Sequence, residues 1–368
     1  MTDAGARTEP REPLRILAVS ALWQGANDYA FVRAFRRMGH SVRVVSEREY
    51  MPPWHNRLLR AVRRVLTNRI AEEYNQALLR EAQMLRPDLL FVFKGALVKA
   101  GTLRAIRAMG TICIQFYPDT GFHAHSRQLW DAILEYDWFF STKPNHPEEL
   151  RASHGYERVS FLPHGFDPET HRPVDTSPRD IADYSCDVSF IGNISTKKRA
   201  LMAKLLQQSG ELDVTIWGAP TWGSHDDAVS QAYGGRPLYG LEYAKAIQLS
   251  KINLGLLFEG NADGASPDVL TARTFEISGA GGFMLHERTP EAEACFEDGR
   301  ECVFFDDTAD LVDKIRHYLA HDEERRAIAA AGRQRSLDSG YSTDDRAQTV
   351  IAKFHELRAQ GIQVGAHR

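Results

Sequence analysis

Two carboxylates separated by seven other residues, Asp268 and Glu276, stand in the stretch GASPDVLTARTFEISGAGGFML from Gly264 to Leu285. On a helix they lie two turns apart, roughly 12 Å along the axis. Ser266 is suited to cap such a helix, Pro267 to its first position and Asp268 to its first turn. The pattern predicts a helix from there to about Ser278, ended by Gly279 and followed after Gly281-Gly282 by a short buried strand. An uncovered helix start presents free N–H groups to an anion, as a phosphate needs. A carboxylate further along, such as Glu276, accepts hydrogen bonds from sugar hydroxyls. An ordinary αβ unit with two charged helix residues gives the same pattern.

Three cations, Lys197, Lys198 and Arg199, follow the Gly192-Asn193 turn at the end of another apolar run. Cations beside a small turn neutralise a diphosphate, both bound and as charge grows on a leaving nucleotide. A solvated helix start is the competing reading. Trp217, Tyr239 and Gly240 offer flat rings and an open backbone to a base, or belong to the core. In the first half, Gly25, Asn27 and Asp28 follow the first apolar run. Asp119 has His123 and His125 close behind it, so any of the three is a candidate base for a hydroxyl proton. The loop Glu259 to Gly264, with Asn261 and Asp263, is a candidate for contacts to a sugar.

The elements that must position these residues repeat a simple rhythm. Apolar runs at 14–20, 41–45, 87–93, 111–116, 138–141 and 159–162 alternate with helical stretches, and the series restarts at Asp187. Further runs follow at 213–218, 252–258, 282–285 and 302–305. Such alternation means parallel, doubly wound sheets, and the ligand crevice of such a sheet lies at the carboxyl ends of its strands. The expected division is a tail over 1–13, a Rossmann-like half over 14–170, a linker over 171–186, a second such half over 187–340, and a closing helical segment over 341–368.

Composition narrows the classes. A net charge of −4 argues against a general nucleic-acid binder. Four cysteines without CxxC spacing read as reduced thiols of a cytoplasmic protein. No metal-ligand spacing stands out, so no metal or resident cofactor is expected. No apolar run reaches the length of a membrane span. Arg57 to Ile70 is nonetheless basic and amphipathic, which suits either a core-facing helix or a peripheral contact with anionic lipid at the inner face.

The motif Arg273-Thr274-Phe275-Glu276-Ile277 with Gly279 and Gly282 resembles the nucleotide-binding helix of GT-B glycosyltransferases of the group 1 type. Phe190-Ile191-Gly192-Asn193, Gly240-Leu241-Glu242-Tyr243, Phe116-Tyr117-Pro118-Asp119-Thr120 and Leu162-Pro163-His164-Gly165 are similar to segments of CgeB-like proteins, a bacterial branch related to spore maturation proteins. The resemblance is dense over 187–350 and thinner before it. It implies a GT-B fold, two Rossmann-like domains facing across a cleft. It implies a nucleoside diphosphate sugar such as a UDP-sugar as donor, an acceptor hydroxyl, no metal, and retention of configuration. By the same resemblance Glu276 holds the ribose; Asn193, Lys197, Lys198, Arg199 and Ser266 the diphosphate; Trp217, Tyr239 and Gly240 the nucleoside. Asp263, Gly264 and Asp268 fall to the donor sugar, and Gly25, Asn27 and Asp28 to the acceptor side. Asn193 stands where relatives have Arg, and Asp268 where they have Glu. A nucleotide-sugar 2-epimerase and a silent sugar-nucleotide or glycan-binding protein are the alternatives.

Overall fold

Branched and aromatic residues dominate the strands, several of which are buried on both faces. In a computed structural model the described residues are 12–23, 25–51, 63–122, 127–208, 210, 212–260 and 266–361. The first half contributes β1 (Arg15–Val19), β2 (Ser41–Val45), β3 (Leu89–Phe93), β4 (Ile112–Tyr117), β5 (Trp138–Ser141) and β6 (Val159–Phe161). The second contributes β7 (Cys186–Ile191), β8 (Val214–Trp217), β9 (Ser250–Gly255), β10 (Met284–Glu287) and β11 (Val303–Phe305). Every pairing between these strands is parallel. β4 is buried along its whole length, as a strand covered by helices on both faces must be.

The two sheets repeat one topology. The first runs β2-β1-β3-β4-β5-β6, the second β8-β7-β9-β10-β11. In each, the order reverses beside the first strand, and the chain leaves a crevice there at the strand ends. The reversals lie between β1 and β3 and between β7 and β9.

β9 ends at Gly255, three residues short of the expected apolar run. Leu256 and Leu257 stay buried, but side chains take over their backbone groups. Arg273 donates to the Leu256 carbonyl at 2.8 Å, and the Leu257 N–H donates to Glu287 at 2.9 Å.

The segment expected as a bare linker carries a helix, Pro178–Tyr184, whose start is closed by reciprocal bonds between Ser177 and Asp180. Lys245–Asp180 at 2.9 Å fastens it to the second lobe. The last helix, Thr343–Ala359, returns to the first lobe. Its Ala347, Val350, Ile351, Phe354 and Leu357 share one core with Ile16, Phe31 and Phe91.

Of the basic stretch Arg57 to Ile70, residues 57–62 lie outside the described residues. The helix continues to Leu85, and its Ala71, Tyr74, Leu78 and Ala82 are buried against the first sheet. Among the described residues no helix is long and apolar enough to cross a membrane. The four cysteines are free, with Cys113, Cys186 and Cys302 buried.

Candidate active site

Both topological reversals open on one cleft of about 630 Å³ between the lobes. From the first lobe, the turn after β1 supplies Gly25, Asn27 and Asp28. Asp28 is held by the N–H groups of Ala21 at 2.5 Å and Tyr29 at 3.1 Å. The turn after β2 supplies Glu47, whose Oε1 accepts the Leu97 N–H at 2.7 Å. Burial of that carboxyl group, reinforced by nearby Asp28, outweighs its backbone donors and pushes it up to about 7. β3 is followed by Lys94, which has a positive φ of 64° and pairs with Asp119 at 2.9 Å.

From the second lobe, β7 runs into Gly192 and Asn193, and the Ala272–Gly279 helix turns Arg273 and Glu276 toward the same space. These two residues are three apart, hence on one helix face. Glu276 is mostly buried yet lines the cleft, and it stands beside the Tyr243 hydroxyl, which burial and this carboxylate push up. Arg273 is held over the Phe190 ring at 5.1 Å and donates to the Leu256 and Ile191 carbonyls, while its Nε is buried without a hydrogen-bond partner. Lys198 lies behind the Gly192-Asn193 turn, with Nζ 3.5 Å from the Asn193 carbonyl. Burial, aided by Arg273, lowers it to about 8. Among the described residues neither cation has a salt-bridge partner. Two cations without paired carboxylates, beside a carboxylate without one, are the polarity that a nucleoside diphosphate presents in reverse.

The two walls touch at one edge. The rings of Trp23 and Tyr239 meet edge to face with centroids 4.9 Å apart. Gly25 has φ +96°, and a β-carbon on it would come within 2.8 Å of the Gly240 nitrogen. Only glycine fits there.

Seven of the residues singled out from sequence thus line one cleft: Gly25, Asn27, Asp28, Asn193, Tyr239, Gly240 and Glu276. Others are placed elsewhere. Trp217 is 3% exposed and packs with Tyr184, Leu238 and Tyr243 in the core, beneath the cleft-lining residues and not among them. Lys197 pairs with Glu287 at 2.5 Å and Arg199 with Asp227 at 2.6 Å, so these charges are already answered outside the cleft.

The expected helix start at Ser266 is also corrected: the helix begins at Ala272, with Thr271 before it. Tertiary partners hold the preceding residues out of helical conformation. Asn145 donates to the Ser266 hydroxyl at 2.8 Å, the Ser266 N–H reaches the Thr120 carbonyl at 3.3 Å, and Asp268 pairs with Lys143. Ser266 and Asp268 therefore join the lobes instead of lining the cleft. Asp119 sits at the cleft margin on Lys94. His123, His125, Asn261, Asp263 and Gly264 lie outside the described residues.

The sequence singled out no role for Glu47, Arg48, Lys94 and His171, and offered Arg273 and His164 only within family-like motifs; all six line the cleft. Burial lowers His164 to about 3, with Lys143 adding to the effect, so its ring is neutral. Arg273 alone carried a legible signal, its three-residue spacing from Glu276.

A family model described as "Glycosyl transferase-like" matches residues 197–352, which include both Arg273 and Glu276. No curated protein matches the chain. Among solved structures, sucrose-phosphate synthase from Thermosynechococcus elongatus is similar with a TM-score of 0.64 at 13% identity, over 94% of this chain and 100% of that one. Anabaena HepE in complex with UDP and glucose gives 0.59 at 11% identity, over 94% and 100%. The α,α-trehalose 6-phosphate synthase of Burkholderia multivorans gives 0.60 at 13%, over 95% and 100%. At these identities the likeness shows the fold, which is GT-B.

Proposed function

We propose that the protein is a glycosyltransferase that moves a sugar from a nucleoside diphosphate donor to an acceptor hydroxyl. The observation that carries this reading is the pairing of Arg273 and Glu276 on one helix face at the second topological reversal. Glu276 accepts the ribose hydroxyls, while Arg273 and Lys198 face the diphosphate and stabilise charge growing on the leaving group. Asn193 and Gly240 bring backbone close to the nucleotide, and Tyr239 offers a ring to the base. The sequence match over 197–352 covers this half. The complexes of Anabaena HepE with UDP and with UDP-glucose support a uridine nucleotide as the first donor to test.

Asp28, Asn27 and Glu47 on the opposite wall orient the acceptor, and narrowing of the cleft excludes water from the activated sugar. The reading requires no metal, since the cations supply the charge that a divalent ion supplies elsewhere. The stereochemistry assigned is retention, in which the acceptor wall positions the hydroxyl and the leaving diphosphate takes its proton.

The test is a melting-temperature screen against UDP, GDP, dTDP and their sugars, in buffer with EDTA, on the native chain and on Glu276→Ala. One diphosphate family should raise the melting temperature of the native chain, and Glu276→Ala should lose most of that rise while folding normally. An equal rise in the variant removes Glu276 from the site. Release of nucleoside diphosphate only with an acceptor present separates transfer from epimerisation and from binding alone.

A further inference from the structure

Far along the chain from the cleft residues, the helix Thr308–Ala320 ends and the helix Asp322–Asp338 begins with a single residue, His321, between them. At this corner His317, His321 and Glu324 present one ligand atom each, all within 4.8 Å of one another. The two imidazoles are stacked, with centroids 4.1 Å apart and planes 20° from parallel. That follows from their four-residue spacing, which places side chains one above the other on a helix. We propose that this corner is a binding site for a divalent transition ion of the zinc class, unrelated to the cleft.

The hydrogen bonds fix which atoms are available. His321 Nδ1 lies 2.7 Å from the His317 carbonyl. A carbonyl only accepts, so Nδ1 carries the proton and the Nε2 lone pair of the neutral ring is left for a ligand. A ring nitrogen held by a backbone carbonyl is the usual outer support of a metal-binding histidine. His317 Nε2 donates to Glu324 at 2.9 Å across the two helices, so an ion that binds both groups there displaces that proton to Nδ1 or to solvent. Two neutral imidazoles and one carboxylate give a donor set with one negative charge. Imidazole nitrogens favour zinc, nickel or copper over magnesium and calcium, which prefer oxygen.

Ligands around tetrahedral zinc stand about 3.3 Å apart, given metal–nitrogen distances near 2 Å. The three side chains must therefore draw together by roughly 1.5 Å at most. His317 and Glu324 are each 46% exposed, so rotation about their side-chain bonds meets little packing. Water completes the coordination. A bound ion would tie the end of one helix to the start of the next.

The experiment is calorimetric titration of the full chain, free of any affinity tag, with zinc chloride and separately with magnesium chloride, paired with melting curves. One zinc ion per chain and a raised melting temperature are expected, with no response to magnesium. His321→Ala and Glu324→Gln should each weaken zinc binding by about tenfold or more, and both lie at exposed positions where folding survives. Absence of stoichiometric binding at micromolar zinc overturns the proposal. So does equal affinity in His317→Ala/His321→Ala, which would move the ion to other groups such as the cysteines.

Discussion

Lys143 of the first lobe pairs with Asp268 of the second, and both are nearly out of water, with side-chain exposures of 3% and 10%. Asp268 is also tied to its own lobe, since its N–H donates to the Phe258 carbonyl at 2.8 Å. Removing one partner leaves the other charge buried alone, at a cost of about 3–5 kcal/mol. Lys143→Met and Asp268→Asn should each show that loss in urea unfolding. Lys143→Met/Asp268→Leu should recover much of it. Single losses below about 1 kcal/mol would mean that water reaches the pair.

Besides His164, two further buried histidines set an acid limit. Burial lowers His146 and His286 from 6.5 to about 4. His286 is wedged between the Glu287 carbonyl, to which Nδ1 donates at 2.6 Å, and Thr274, 2.9 Å from Nε2. The unfolded chain protonates both below pH 6.5 while the folded chain does not. Their stabilisation is thus complete above pH 6.5 and declines from there to pH 4, by about 1.4 kcal/mol per pH unit for each ring. Unfolding free energies measured between pH 4 and 7 should show this slope, and His286→Gln should flatten it by one ring's share. A flat profile for the native chain would contradict the burial of these rings.

If Lys198 faces the diphosphate as proposed, nucleotide binding should depend on pH at the alkaline end. It titrates at about 8, below its ordinary 10.5. Only its charged form attracts a diphosphate, so affinity should be level below pH 8 and fall above it by up to about tenfold per pH unit. Lys198→Met should bind more weakly and show no such fall. Equal slopes in the two proteins would place the titrating group elsewhere.

Gly25→Ala should cost about 1–3 kcal/mol, because a β-carbon suits neither the positive φ nor the Gly240 backbone opposite. It should also weaken nucleotide stabilisation, since the collision pushes the two walls apart. Gly39→Ala is the control, with φ +85° and open space around it; it shares the backbone strain without the collision. Identical effects of the two on nucleotide binding would mean that contact between the walls does not shape the site.

The sheets were legible because strands buried on both faces read as apolar runs whatever surrounds them. The start of the Ala272–Gly279 helix was not. Ser266-Pro267-Asp268 carries every local sign of a helix cap, yet Asn145, Thr120 and Lys143, all more than a hundred residues earlier, claim those groups first. The same applies to the run Lys197 to Arg199. Its three adjacent charges look equivalent in sequence, but Glu287 takes one, Asp227 another, and only Lys198 is turned inward. Glu47 shows the opposite case. Nothing in Ser46-Glu47-Arg48 marks a site, and its place on the cleft comes from the β2-β1-β3 order alone.

The returning helix Thr343–Ala359 has a consequence for how the protein is made. Phe31 and Phe91 belong to the half that precedes the other, yet the side chains packed with them, Val350, Ile351 and Phe354, follow the whole second lobe in the chain. Domains ordinarily fold in order as they leave the ribosome. Here the leading half must wait, with part of its interior open, until the trailing half has been completed and carries the missing piece back to it.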